Sequence, residues 1–353
     1  MNLKTLRSKV DGIDKKIISL LNTRANMAGK IAKTKIKQGR SIYSPERESE
    51  VLKRIPALNK GPLASDALQS IYREIMSSSL SLGKPLVIAY LGPQASFSNL
   101  AALKRFGTQL EYVPCESITD VFGEVEKGNA DYGVVPIENS IEGAVTYTLD
   151  MFVDSDLKIC SQIILNIAHN LLANCSKDKI KHVYSNPNVL GQCRVWLQEN
   201  LPGVERIEVS STTRAASIAA KEKNSACIAS LLAAKIYKLN VLARNIEDSP
   251  HNATRFMVIG RTNVASTKHD KTSILFSIKD KVGALHDMLV PFKKYGINLT
   301  KIESRPSKRK AWDYYFYLDL EGHRDNPKVK KALAELEAKC KFMKILGSYP
   351  TGE

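Results

Sequence analysis

Residues 86–102, LVIAYLGPQASFSNLAA, hold an apolar run of strand length that stops at Gly92-Pro93. A polar cluster, Gln94, Ser96, Ser98 and Asn99, then leads into a small-residue stretch of helical character. A strand feeding a helix through a short polar loop is the unit of an α/β sheet. Similar units recur at ADYGVVPIENSIEGA (130–144), IKHVYSNPNVLGQC (180–193) and VSSTTRAASIAA (209–220), with further short runs at ACIAS (226–230) and RFMVIG (255–260). Residues 86–262 therefore read as one α/β segment. Helix N-termini with free amides and hydroxyl caps attract anions. Four such junctions predict a cleft for a small anionic molecule. The segment has neither G-x-G-x-x-G nor G-x-x-x-x-G-K-[ST], so neither dinucleotide nor nucleoside triphosphate binding is supported.

Upstream the rhythm is different. Leu3, Leu6, Val10, Ile13, Ile17 and Leu20 step by three and four, the seam of a coiled coil, and predict one long helix over residues 3–34. Continuing the step puts Arg24 on the seam, with Arg7 and Lys35 flanking it. A charge on a buried seam is costly unless it is paired. Arg24 and Lys35 lie three turns apart on one face, roughly 16 Å, which suits a small anion inside a bundle. Residues 1–40 hold eleven Lys/Arg against two Asp, within a chain whose net charge is +16. A nucleic-acid-binding face would lie outside the seam, so this cluster does not favour DNA. A second helix is expected after Ser44 as N-cap with Pro45 at its first position, and a third from a Ser65 cap to about Leu82. So long a first helix cannot bury its whole seam within one chain, and an intertwined dimer is expected.

Downstream, residues 272–353 read strand, helix, strand, strand, helix, strand, which predicts a ferredoxin-like α+β unit. The polar stretch RTNVASTKHDKT (261–272) reads as its linker. At 353 residues the chain has room for three such domains, and 43% hydrophobic with 25% charged residues is ordinary for a globular protein. The longest apolar stretch, 157–173, is broken by Lys158, Gln162, Asn166, His169 and Asn170, so no membrane span is expected. Cysteines 115, 160, 175, 193, 227 and 340 are scattered with no C-x-x-C pair. They point to reduced thiols in a cytoplasmic setting, with no metal site.

One loop poses a separate question. SPHNATRF (249–256) sets Asn252, Thr254 and Arg255 just ahead of the apolar run Met257–Gly260. Taken alone, a Thr-Arg pair there is a turn cap and an edge charge. The wider sequence changes that reading. GPQASFSNLAA, GNADYGVVPIENSIEGAV, YSNPNVLGQC and NATRF resemble the prephenate dehydratases, and the tail resembles their regulatory ACT domain. LRSKVDGIDKKIISLLNTR, KIAKTK, YSPERE and IYREIMSSSL resemble the all-helical chorismate mutases. The three-part order is similar to that of the bifunctional chorismate mutase–prephenate dehydratase family.

The resemblance implies a helical mutase domain over 1–84, a two-lobed, periplasmic-binding-protein-like α/β dehydratase domain over 86–262 and an ACT domain over 272–353. It implies crossings between the lobes near Ile164–Leu172 and Leu239–Ile246. For the mutase it implies substrate contacts from Arg7 (the partner chain's), Arg24, Lys35, Ser44, Arg47, Glu48 and Ser79. For the dehydratase it implies Thr254 as hydrogen-bond donor to the leaving hydroxyl, Arg255 for a carboxylate, and Asn139, Ser185 and Gln192 as polar cleft residues. His251, a lone loop histidine, is the lesser candidate for the acid. Gly283, Ala284, Leu285 and His286 (GALH) with Glu303, Ser304, Arg305 and Pro306 (ESRP) match the phenylalanine-binding motifs. Chorismate, prephenate and L-phenylalanine are the expected ligands, a homodimer or tetramer the expected assembly, and no cofactor, nucleic acid or membrane partner is expected. Removing residues 265–353 is expected to leave a working, phenylalanine-insensitive enzyme. Gly83 stands where the family carries a Gln or Glu that hydrogen-bonds the ether oxygen of chorismate, so weak mutase turnover is expected. A two-lobed anion-binding regulator without catalysis is the alternative.

Overall fold

The computed structural model describes residues 2–39, 41–82, 85–278, 281–308 and 313–351. Gly83 and Lys84 lie outside the described residues. The chain opens with α1 (Leu3–Lys37), α2 (Pro45–Leu58) and α3 (Ser65–Ser81). The Asn2 side chain caps α1 by accepting from the amide of Thr5 at 2.9 Å, satisfying one of the orphan N–H groups of the first turn. Ser44 is the N-cap of α2 with Pro45 at its first position, as expected, although its hydroxyl makes no cap bond and instead accepts from the Lys35 ammonium. One capping expectation is corrected: Ala64, not Ser65, is the cap of α3. The seam residues Leu3, Leu6, Val10, Ile13, Ile17 and Leu20 are all exposed in the single chain, Leu20 at 69%.

The α/β segment runs β1 (Val87–Leu91), α4 (Phe97–Phe106), β2 (Glu111–Cys115), α5 (Ile118–Glu126), β3 (Tyr132–Asn139), β4 (Gly143–Ala144), α6 (Thr146–Asp154) and β5 (Lys158–Asn166). It then crosses to a second lobe: β6 (Asn170–Ala173), β7 (His182–Ser185), α7 (Pro187–Gln192), α8 (Arg194–Asn200), β8 (Glu205–Glu208), α9 (Thr212–Ala219), β9 (Ser225–Ala229), α10 (Leu231–Tyr237) and β10 (Asn240–Ala243). Strand β11 (Ala253–Gly260) returns to the first lobe. The first sheet has the order β2-β1-β3-β11-β5 with β4 beside β3, and the second β10-β6-β9-β7-β8. The return crossing, residues 244–252, lies a few positions beyond the expected span. Of the four junctions read as helix openings, IENSIEGA instead turns from β3 into β4.

The C-terminal unit has the expected order: β12 (Asp270–Ser277), α11 (Ala284–Tyr295), β13 (Leu299–Pro306), β14 (Tyr314–Glu321), α12 (Pro327–Glu337) and β15 (Phe342–Pro350). Its four strands lie in the order β13-β14-β12-β15, and both helices pack on one face around Phe276, Met288, Phe292 and Leu333. The other face does not meet solvent. Leu275, Tyr315, Tyr317, Leu346 and Tyr349 share one core with Phe122, Val135, Phe152, Ile159, Met257 and Ile259 of the first lobe. Gly347 marks how close the layers come, because a side chain there would strike the backbone of Ile159. Removing residues 265–353 would uncover apolar side chains of the strands that carry the cleft, so the truncated enzyme is expected to lose stability.

Candidate functional site

A cavity of about 310 Å³ opens among the three N-terminal helices. Arg24, Lys35, Ser44, Arg47, Glu48 and Ser79 all line it, so six of the seven expected residues come together. The Arg24 guanidinium donates to the Ser79 hydroxyl at 2.9 Å, and the Lys35 ammonium donates to the carbonyl of Ile42 at 3.0 Å and to Ser44. Arg47 pairs with Glu50 at 2.5 Å, an exposed couple that a ligand can exchange at little cost. Arg7 lies elsewhere. It precedes Arg24 by 17 residues on one straight helix, roughly 26 Å, and cannot reach the cavity of its own chain. Of the lining residues not assigned from sequence, Arg73 and Phe106 matter most. Arg73 shares a face of α3 with Ser77 and Leu80 at four- and seven-residue spacing, a signal the sequence does carry. Phe106 comes from α4 of the next domain, and no local pattern announces it. Among the described residues the lining holds four cations, Arg24, Lys35, Arg47 and Arg73, against one carboxylate, Glu48.

Between the two lobes, β3 and β11 run antiparallel with Asn139 opposite Thr254. The Asn139 carbonyl oxygen accepts the amides of Ile141 and Glu142 at 2.9 and 3.0 Å, which fixes the orientation of its amide group. Its NH₂ therefore points at the Thr254 hydroxyl oxygen, 2.9 Å away, and at Asn252 Oδ1, also 2.9 Å away. Since Thr254 Oγ1 accepts that bond, its own proton is free for a ligand. Asn252 in turn donates to Gln192 Oε1 at 2.9 Å, and Gln192 donates to Glu142 at 3.0 Å. Gln192 thus ties the second lobe to the first. His169 faces the same Gln192 oxygen at 2.9 Å and stacks edge-on against Phe97. Burial lowers its pKa, against the opposing pull of Gln192 and Glu247. Asn252, Glu142 and His169 were not assigned from sequence, because the contacts that make them useful join residues dozens of positions apart.

Two expected cleft residues are placed differently. Ser185 is fully buried, its hydroxyl donating to the carbonyl of Ile228 at 2.9 Å, and it is not joined to the Asn139–Thr254–Gln192 set. Arg255 follows Thr254 on β11, so strand alternation sends it to the opposite face. There its guanidinium meets Asp319 at 2.6 Å, Tyr349 at 3.0 Å and Gln162 at 3.1 Å. Arg255 thus links the first lobe to the C-terminal sheet and is not joined to the Asn139–Thr254–Gln192 set. Its neighbour across the ladder, Glu138, is met from the same side by Lys301 at 3.0 Å.

In the C-terminal unit, Gly283, Ala284, Leu285 and His286 line a cavity of about 620 Å³ with Lys281, Asp313, Tyr314 and Phe316. Gly283 has φ +76°, a left-handed conformation that favours glycine at the start of α11. Glu303, Ser304, Arg305 and Pro306 lie on β13, the edge strand, away from that cavity in the single chain. Arg305 turns back to Asp150 of α6 at 3.5 Å.

Comparison with known proteins agrees with this division. Residues 6–84 match the family described as Chorismate mutase type II, 88–264 match Prephenate dehydratase and 272–338 match the ACT domain. Over 353 residues the chain is 53% identical to a bifunctional chorismate mutase/prephenate dehydratase of Aquifex aeolicus, covering 99% of this chain and 98% of that one. The chain belongs to the bifunctional chorismate mutase/prephenate dehydratase family. The Pseudomonas aeruginosa member is 46% identical, with 99% and 97% covered. The Escherichia coli K12 member is 32% identical, with 99% and 96% covered. Among solved structures, the prephenate dehydratase of Arthrobacter aurescens in complex with L-Phe superposes with TM-score 0.71 at 33% identity, covering 75% of this chain and 90% of that one. GqqA, described as a novel type of quorum-quenching acylase, superposes at 0.69 with 27% identity, covering 75% and 98%. No helix among the described residues is long and apolar enough to cross a membrane.

Proposed function

We infer that this protein converts chorismate to prephenate in the helical cavity and prephenate to phenylpyruvate in the cleft, with L-phenylalanine as feedback inhibitor at the ACT domain. The observation that carries the dehydratase reading is the Thr254 hydroxyl, oriented by Asn139 so that its proton is free to be donated. Prephenate loses its ring carboxylate as CO₂ and its ring hydroxyl together. The electrons of the C–C bond enter the ring, the C–O bond breaks, and the ring becomes aromatic. A neutral threonine is a poor acid, so Thr254 acts by a preorganised hydrogen bond to the departing oxygen. Asn139 orients it, and Gln192 and Asn252 close the cleft around it. In the mutase cavity, Arg24, Lys35 and Arg47 supply the charges that hold a dicarboxylate, with Ser44, Glu48 and Ser79 as its polar contacts.

The exposed seam of α1 supports an intertwined dimer in which Arg7 of one chain completes the cavity of the other. A second contact through the ACT edge strand would bring the ESRP strand of one chain beside the GALH cavity of its partner and give a tetramer. The cytoplasm is the compartment that suits six free thiols. The test is Thr254→Ala assayed with prephenate. Its kcat should fall at least about 100-fold with folding intact, the usual cost of losing one preorganised donor. Wild-type turnover by that variant would contradict the assignment.

A further inference from the structure

Helix α4 belongs to the dehydratase, yet its last turn enters the mutase. Arg105 Nε donates to the Tyr43 hydroxyl at 2.9 Å, and its Nη2 meets Glu48 Oε2 at 3.0 Å. Tyr43 donates to the same Glu48 oxygen at 2.7 Å. The three groups form a closed knot, with the Arg105 and Glu48 side chains only 13% and 11% exposed and Tyr43 at 4%. Next to Arg105, Phe106 lines the cavity and packs against Tyr43 at 5.0 Å between ring centroids. Gly107 follows with φ +77° and no room for a side chain against Ser77 of α3, so the two domains are closely fitted here. We propose that Arg105 is a positioning residue for the mutase, supplied by the dehydratase domain, which fixes the Glu48 carboxylate so that its other oxygen faces the substrate. The proposal rests on reading the helical cavity as the mutase site.

Electrostatics explain why Glu48 needs an outside anchor. It is the one carboxylate in a lining that also holds Arg24, Lys35, Arg47 and Arg73 among the described residues. A loose carboxylate among four cations would pair with one of them and withdraw that cation from the substrate's own carboxylates. Arg105 reaches Glu48 without itself lining the cavity, so it satisfies the carboxylate at no cost to the clamp. Burial raises the pKa of Tyr43 well above the usual tyrosine value, so Tyr43 remains a protonated donor in the knot.

Three variants of the full-length protein test this, with chorismate consumption and phenylpyruvate formation from prephenate measured on each. Arg105→Met keeps the alkyl packing and removes the charge. It should lower mutase kcat/KM about 10- to 100-fold, with a rise in the KM for chorismate, because a hydrogen bond to a charged group has been lost. Arg105→Lys should recover a large part of that loss, and dehydratase kcat/KM should stay within about twofold in both. In a Glu48→Gln background, Arg105→Met should cost less than about twofold more, because the group it positions is already gone. Mutase kcat/KM within twofold of wild type in Arg105→Met would overturn the proposal. So would a parallel fall in dehydratase activity, or an undiminished effect in the Glu48→Gln background. A wild-type protein that consumes no chorismate would remove the mutase reading itself, and this inference with it.

Discussion

Thr254 and Arg255 are adjacent residues with opposite duties. One faces the cleft and the other faces the ACT sheet, because a strand alternates its side chains. The sequence motif identifies both as important but not which way each points; only the register of β11 against β3 and β5 decides that. Gly83 poses the reverse problem, since its identity is legible and its surroundings lie outside the described residues. The missing amide would act chiefly in the transition state, where breaking the ether bond puts charge on oxygen. Gly83→Gln is therefore expected to raise mutase kcat/KM, measured by chorismate consumption. No change, together with wild-type turnover as fast as in efficient mutases, would contradict the alignment of that helix end. His169 gives a prediction in pH. Burial lowers its folded pKa, while the unfolded chain titrates near 6.5. Below about pH 6.5 the unfolded state takes up a proton that the fold resists, so stability is lost as pH falls, and above that pH the effect vanishes. His169→Asn should flatten the drop in urea midpoint between about pH 7.5 and 5.5, and an equal drop in the variant would contradict this reading.

At the scale of elements, β11 is held between the cleft on one side and the ACT sheet on the other. The Arg255–Asp319 pair is nearly buried, at 13% and 8% exposure, and Ser273 and Tyr349 complete its hydrogen bonds. Removing one member of such a pair strands the other, at a cost of about 3–5 kcal/mol. Asp319→Ala is thus expected to lower the melting temperature and to weaken inhibition of the dehydratase by L-phenylalanine, while calorimetry still detects binding of the amino acid. Undiminished inhibition would show that the signal bypasses β11. Most elements were legible because their periods are: the 3-4 seam of α1, the short apolar runs of both sheets and the βαββαβ tail. Contacts between domains were not legible. Nothing local in RFMVIG or WDYYFYLDL says that these strands share a core, and nothing in LKRF says that Arg105 reaches Glu48 in the helices.

On the scale of the whole molecule, three domains are joined by buried contacts rather than strung on linkers. Tyr43 of the helical part sits in the dehydratase core beside Phe106 and Tyr132, and the ACT sheet forms the back wall of the catalytic sheet. The segment read as a linker already contains Asp270, the first residue of β12. Such a molecule is expected to unfold with its dehydratase and ACT parts together, and point variants at Gly283 or Leu285 are better probes of feedback than truncation. The central claim is that one chain performs both consecutive reactions under control of their eventual product. It is tested most directly by adding chorismate alone to the purified protein and following prephenate and phenylpyruvate together, with and without L-phenylalanine. The account predicts slow loss of chorismate, a prephenate pool that drains into phenylpyruvate, and a pool that accumulates when L-phenylalanine is present. Prephenate that persists unchanged without L-phenylalanine, or chorismate that is never consumed, would contradict it.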